Sequence, residues 1–371
     1  MTSALTAIAK AHDSKMPAHR FPHQMLQEFI ADVFVAAACE RHEASVVADH
    51  LIQANLTGHD SHGVIRTPIY VRWLNEGKVR ANQRLGVIFE NDAVAVVDGQ
   101  MGLGQSIAEQ AMTLGIHKTQ KSGVAIIAIR NCGHVGRVGH WAEMLVGAGL
   151  VSLHFVNTSG LGLLVAPVGG ISRRLSANPV AAGIPVAGGE PIIFDISTSS
   201  VAEGKLKVAF NKGASVPDGC IIDAQGKPTN DPRIFYGDPP GAILPFGGYK
   251  GYGLGLVAEI LAGALTGSGC SQPGKTRLEQ GMLSIILDPV VFQVQDSFLQ
   301  EVKCFVDFVK SSEKVSPMAE ILVPGDIERR TRAERMARGI ELDENTWNQI
   351  ATCAQSLGVR TDLIAHAKGA G

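Results

Sequence analysis

Between residues 24 and 41 the apolar positions Leu26, Phe29, Ile30, Val33 and Phe34 fall on one helical face. A second helix is expected after it, capped by Ser45, with Val47, Leu51, Ile52 and Ala54 on its apolar side. Gly58 supplies the stop. A third helix is expected to begin near Asp60 or Ser61, both good N-cap residues, and to run to about Gly77. Beyond residue 80 the period changes. Residues 94–97 read as a strand ended by Asp98-Gly99, residues 104–121 as a helix, 124–129 as a β-branched buried strand, 137–148 as a helix and 150–156 as a strand. The last three form a strand–helix–strand unit of about 33 residues, the size of a βαβ crossover. Residues 192–195, 220–223 and 282–287 are further strands, and 250–265 form a strongly apolar helix. Helices return from about residue 296, broken by a strand-like 321–323 and by Pro324-Gly325. Residues 1–22, polar and carrying Pro17 and Pro22, read as a loosely ordered arm. The expected fold class is α/β, with helical regions at both ends.

Composition narrows the function classes. The chain has 371 residues, is 45% apolar and carries a net charge of −2, so a large core is available. No long basic run suggests nucleic acid or an anionic membrane surface as a partner. No apolar stretch reaches the roughly 18 residues of a transmembrane helix, and the N-terminus lacks the apolar segment of a signal peptide. A cytoplasmic location is expected. The six cysteines form no CxxC pair, which favours free thiols over a zinc site.

The segment 58–70, GHDSHGVIRTPIY, holds the densest chemistry. His62, Arg66 and Tyr70 are four residues apart, and a helix would set them on one face. Arg66 would clamp a carboxylate bidentately while His62 moves a proton on the neighbouring oxygen, with Ser61 orienting His62 or capping the helix. A capped helix with exposed polar residues explains the same spacing. His50, His59 and His62 raise a metal site, but HxxH without a Glu is not the helical zinc pattern, and no metal is expected. Around Gly133-His134-Val135-Gly136-Arg137-Val138, glycines at a strand-to-helix junction would let backbone amides approach an anion, with Arg137 adding charge. The spacing is not GxGxxG and no acidic residue ends the next strand, where Asn157-Thr158 stands, so a Rossmann fingerprint is not met. Asp195, at a strand end before Ile196-Ser197, can orient a histidine and stabilise its cation. Lys250, after a Gly pair and opening a helix, can reach a phosphate or ribose.

In their order these segments resemble the malate/L-lactate dehydrogenase family, which is distinct from the Rossmann lactate and malate dehydrogenases. The resemblance rests on DSHGVIR (60–66), GHVG (133–136), ANP (177–179), FDISTS (194–199), GGYKGYGL (247–254) and PGDIERR (324–330), and spans most of the chain. It implies a mixed-sheet, non-Rossmann nicotinamide-binding fold, usually homodimeric. The corresponding organisation is a helical domain from residues 1–90 and 290–371 and an α/β cofactor-binding domain over 91–289. It implies an oxidoreductase acting on 2-hydroxy or 2-imino acids. Ser61, His62 and Asp195 resemble the family's proton relay, with His62 or His134 as the acid/base. Arg66 would hold the substrate carboxylate, with Tyr70 beside it. Cofactor contacts are implied at His134, Val135, Gly136, Arg137, Val138, Thr158, Asp195, Ile196, Ser197, Lys250, Gly325, Asp326 and Ile327. The cofactor would be NAD, with NADP as the alternative. A small 2-hydroxy acid such as malate or L-lactate is the expected substrate; a cyclic 2-imino acid reductase, a metal-dependent hydrolase built on the histidines at 50, 59 and 62, and a non-catalytic scaffold are the rivals.

Overall fold

A computed structural model describes residues 18–160, 162–275, 277–292 and 295–361. The first helix, His23–Ala36, buries Leu26, Phe29, Ile30, Val33 and Phe34, as the periodicity requires. The second, Arg41–Leu56, starts before Ser45 rather than at it; Ser45 lies inside the helix and its hydroxyl donates to the Arg41 carbonyl at 2.8 Å. Gly58 does stop it, with φ of +85° just past the last turn.

The third helix differs from expectation. Two single 3-10 turns, Asp60–His62 and Val64–Arg66, precede the α-helix Thr67–Asn75, which has Pro68 in its first turn. The cause lies in Asn55. Its amide oxygen accepts from the Val64 amide at 2.8 Å, its nitrogen donates to Asp60 at 2.6 Å, and a Cβ on Gly63 would lie 2.2 Å from that oxygen. The backbone is drawn onto Asn55 and cannot close helical bonds there. Asp60 caps nothing; it pairs with Arg335 at 2.6 Å.

Twelve strands occur among the described residues: β1 (Ala18–Phe21), β2 (Gly86–Glu90), β3 (Val94–Asp98), β4 (Val124–Cys132), β5 (Val151–Ser159), β6 (Val180–Ile184), β7 (Ile192–Ile196), β8 (Ile221–Ile222), β9 (Pro228–Thr229), β10 (Ala242–Ile243), β11 (Glu279–Leu287) and β12 (Ile340–Asp343). The central seven-stranded sheet runs β2-β3-β4-β11-β5-β6-β7. β4 and β5 are both antiparallel to β11. They are therefore parallel to each other, with the helix Gly139–Gly147 between them in sequence, but β11 is interposed. The expected crossover thus steps over one strand, and the sheet is mixed.

Part of the expected N-terminal arm is strand: β1 pairs antiparallel with β12 near the other terminus, while residues 1–17 lie outside the described residues. Phe21 stacks against Trp347 at 4.6 Å, and one core joins Leu26, Leu51, Val64 and Tyr70 to Ile340, Leu342 and Ile350. Residues 321–323 form no strand; the Val323 amide donates to Asp326 at 3.0 Å, starting the helix Asp326–Arg338. The apolar helix is α-helical over Tyr249–Glu259 and continues as a π-helical stretch over Ile260–Leu265. The helix Gln295–Lys310 does not join the terminal helices; Phe298, Val302 and Phe305 face β5, β6 and β7 at the sheet edge. A small sheet, β10-β8-β9, packs with the helix Glu203–Lys212 around Leu206, Ile221, Phe235 and Ile243. Among the described residues no helix is long and apolar enough to cross a membrane.

Inside the main sheet His154 is fully buried, with its nitrogens 2.8 Å from Ser284 Oγ and 3.0 Å from Ser152 Oγ. Burial pushes its pKa down from 6.5 to about 3. The unfolded chain therefore binds a proton near pH 6.5 that the folded chain refuses, and stability present above that pH is lost as pH falls toward the folded pKa. By pH 5 this one group removes about 2 kcal/mol. Thermal melts at pH 7 and 5 should show His154→Gln with a shallower acid loss than the parent. Equal pH dependence in the two would disprove the buried, neutral assignment.

Candidate active site

The site is built where the broken third helix meets the β4 end. Ser61 Oγ lies 3.1 Å from His62 Nδ1. The His62 ring stacks on the His134 ring, centroids 5.4 Å apart. His134 Nδ1 sits 2.6 Å from the Tyr70 hydroxyl, which also receives the Gln105 amide nitrogen at 3.0 Å. Tyr70 is buried and its pKa is pushed up to about 12, chiefly by burial. Arg66 donates its Nε to the Ser61 carbonyl at 2.6 Å and has no acidic partner among the described residues. His62, Arg66, Tyr70 and His134 thus come together, but not along one helical face: the break at Gly63 turns His62 onto His134, and Tyr70 reaches His134 from the following helix.

Both histidines are held neutral. Burial first, then the adjacent His134 ring, which would repel a second proton, and the Arg66 guanidinium hold the His62 pKa well below its ordinary value. Burial, then Arg66, takes His134 down to about 3. Two neutral imidazoles beside an open guanidinium form a site prepared for an anion.

Asp195 is placed differently from the expected relay. Its carboxylate accepts from the Gly139 amide at 2.7 Å and lies 4.0 Å from Arg137 Nε; no hydrogen bond joins it to His62. Arg137 is also not an open anion ligand, being 2% exposed and forked onto Glu143 at 2.7 and 3.1 Å. Three amides of the glycine turn are occupied too. Gly133 N–H donates to Gly102 O at 3.0 Å, Val135 N–H to Gln280 at 2.7 Å and Arg137 N–H to His50 at 2.9 Å. His50, His59 and His62 diverge to Arg137, Glu328 and Ser61 respectively. Among the described residues no group of three or more His, Cys, Asp or Glu side chains could hold a metal.

The segments assigned to a nicotinamide cofactor converge on this side of the sheet. Gln280 ties Val135 to Thr158 through bonds of 2.7 and 2.6 Å. Ile193 N–H donates to the Pro324 carbonyl at 3.1 Å, laying Gly325-Asp326-Ile327 beside the strand of Asp195 and Ile196. Phe246 N–H donates to Thr198 O at 3.1 Å, which brings the helix start at Lys250 next to Ser197. Lys250 and Ile327 are exposed and Asp195, Ile196 and Ser197 half-buried, so this set leaves a cation and accessible polar groups where a phosphate-bearing cofactor would fit.

The profile of the malate/L-lactate dehydrogenase family matches residues 21–351. This chain belongs to that family. Hydroxycarboxylate dehydrogenase B of Escherichia coli (strain K12) is 40% identical over 351 residues, covering 93% of this chain and 96% of the relative. The solved sulfolactate dehydrogenase of Methanocaldococcus jannaschii superposes with a TM-score of 0.84 at 33% identity, covering 94% of this chain and 100% of its own. The Δ1-piperideine-2-carboxylate reductase of Pseudomonas syringae pvar. tomato superposes with a TM-score of 0.80 at 32% identity, covering 91% of this chain and 100% of its own. As a malate/L-lactate dehydrogenase family member the protein is an oxidoreductase of 2-hydroxy acids. That replaces the metal-dependent hydrolase reading. The family fold also accounts for the mixed, non-Rossmann sheet.

Sequence reasoning missed several residues of this site. Gln105 and Gln280 touch the groups named above, yet each stands alone without a local pattern, and His50 drew notice only as a possible metal ligand, not for its bond to the Arg137 amide. Gly204 was missed as well: a Cβ there would lie 2.6 Å from Ser61 Cβ, so the small β8–β10 unit abuts the proton-bearing turn. Only the density of glycines hinted at such close approaches.

Proposed function

We propose that this family member interconverts a small 2-hydroxy acid and its 2-keto acid, with NAD as cofactor and NADP as the alternative, as a cytoplasmic homodimer. The observation that carries the reading is the Arg66 guanidinium, free of any acid among the described residues, beside the neutral His62–His134 pair. The names of the relatives, a hydroxycarboxylate dehydrogenase and a sulfolactate dehydrogenase, support this substrate class. Arg66 binds the carboxylate and aligns the neighbouring oxygen with the imidazoles. The Gln105 amide donates to Tyr70, whose own proton then goes to His134 Nδ1, so His134 carries its proton on Nε2 and serves as a donor to the substrate oxygen. His62, oriented by Ser61, takes the hydroxyl proton in oxidation and returns it in reduction. Thr158, Asp195, Ile196, Ser197, Lys250 and the 325–327 turn are the residues that would hold a nicotinamide, which would supply or accept the hydride at C2. Asp195 acts at one remove, by fixing Gly139 and balancing Arg137. The pairing of β1 with β12 supports a helical unit made by both termini, with residues 290–310 assigned instead to the α/β unit whose edge they cover.

The Δ1-piperideine-2-carboxylate reductase neighbour favours one further reading, in which the same groups protonate a cyclic imine nitrogen. Titration with NADH and NADPH, followed by 2-keto acids and Δ1-piperideine-2-carboxylate, separates the two. Turnover of keto acids supports the proposal, turnover of the imine alone selects the second reading, and cofactor binding with turnover of neither overturns both substrate assignments.

The lowered His62 pKa sets a sign for the pH profile. Oxidation needs the neutral base, so kcat/KM for the hydroxy acid should stay level through pH 6.5 and fall only below it. Reduction needs the protonated form, so kcat/KM for the keto acid should keep rising as pH drops through the same range. An oxidation limb that breaks above pH 6.5 would rule His62 out as the free-enzyme base.

A further inference from the structure

The segment that carries His134 is held by side chains from three distant elements. Val135 N–H donates to Gln280 Oε1 at 2.7 Å from β11. Arg137 N–H donates to His50 Nε2 at 2.9 Å from the helix Arg41–Leu56. Gly139 N–H donates to Asp195 at 2.7 Å from β7. Gln280 and His50 are 4% and 1% exposed, and neither hydrogen-bonds to His62, His134 or Arg66. The His50 ring lies directly against the turn: a Cβ on Gly136, which has φ of +78°, would meet its Nε2 at 2.1 Å. The ring packs between His140 and Trp141, with centroids at 4.4 and 5.0 Å. Because Nε2 accepts, the ring proton sits on Nδ1, and Nδ1 has no partner. A buried donor left unpaired is a cost that a leucine of similar size would not carry. Packing alone therefore does not account for a histidine here; its acceptor does.

We propose that His50 and Gln280 are positioning residues for His134, clamping segment 133–139 at Val135 and Arg137 and so setting the separation of the His62 and His134 rings. Gln280 extends the clamp to Thr158, whose Oγ1 accepts its amide at 2.6 Å. Val135 and Val138 anchor the turn in the sheet core, and the bonds from Gln280 and His50 fix the backbone amides of Val135 and Arg137 on either side of Gly136; a group displaced by about 1 Å can lose about a hundredfold in rate. This rests on the hydroxy-acid reading of the His62–His134 pair.

The test compares the full-length parent with His50→Leu, His50→Gln and Gln280→Leu, by turnover and by amide hydrogen exchange. His50→Leu should lower kcat about tenfold or more, and His50→Gln, whose Oε1 can meet the same amide, should return to within about threefold of the parent. Amides of residues 135–139 should exchange faster in His50→Leu and Gln280→Leu but not in His50→Gln, while β4 and β5 stay protected. Parental kcat in His50→Leu, equal impairment of the Leu and Gln variants, or unchanged exchange in the segment would each overturn the clamp. Should His50→Leu not fold, Gln280→Leu gives the same readouts. If the parent turns over no acid, the hydroxy-acid reading fails separately, and exchange in the segment still decides whether the clamp exists.

Discussion

His62→Ala is expected to lower kcat for both directions by about 10²-fold or more, the scale of general acid–base catalysis. The argument is geometric first. His62 has Ser61 on its Nδ1 and stacks on His134, which leaves its Nε2 to take the hydroxyl proton, whereas the Nε2 of His134 already carries one. His134 is committed on Nδ1 to Tyr70. Cofactor affinity should change little, because His62 is not among the residues that would hold the cofactor. An unchanged kcat in the purified, folded variant would pass the acid–base role to His134. In that case Tyr70→Phe, which removes the bond to His134, should be the damaging change instead.

Arg66→Ala is expected to act mainly on KM for the acid. Hydrogen bonds to charged groups contribute about 1.5–3 kcal/mol, so the loss corresponds to about 10- to 100-fold in KM. Arg66→Lys should recover only part of it, since an ammonium cannot offer the planar fork. A second effect separates this from a general loss of structure. Arg66 is one of the positive groups that hold His62 down, so its removal lets the His62 pKa rise and shifts the acid limb of the oxidation profile to higher pH. Parental KM together with an unmoved limb would remove Arg66 from the site.

Much of the fold was legible. Helix Gly104–Ser122 and strands β4 and β11 are long, β7 opens on an apolar run, and local pattern marks such segments without knowledge of their partners. The failures share a cause. β1 and β12 have four residues each, too few for a period, and exist because each supplies the other's hydrogen bonds across the whole chain. Ser45 looked like a cap because local rules weigh residue type, whereas Glu40 with its extended backbone already opens that helix. The third helix failed because Asn55, on a neighbouring helix, offered the backbone a better partner than its own next turn.

The same division runs through the site. The order of the motifs identified the family, and residue chemistry singled out His62, His134, Arg66 and Tyr70, because an imidazole, a guanidinium and a phenol have properties that do not depend on where they lie. Where each group points, and which amides remain free to bind anything, depends on contacts between segments far apart in the chain. Asp195 reads from sequence as a histidine's partner and is instead spent on Gly139 and Arg137. The glycine turn reads as an anion cradle with Arg137 beside it, but Gln280 and His50 take the amides of Val135 and Arg137. A hydrogen-bond donor serves the nearest acceptor the fold brings to it, and tertiary packing alone decides which acceptor that is.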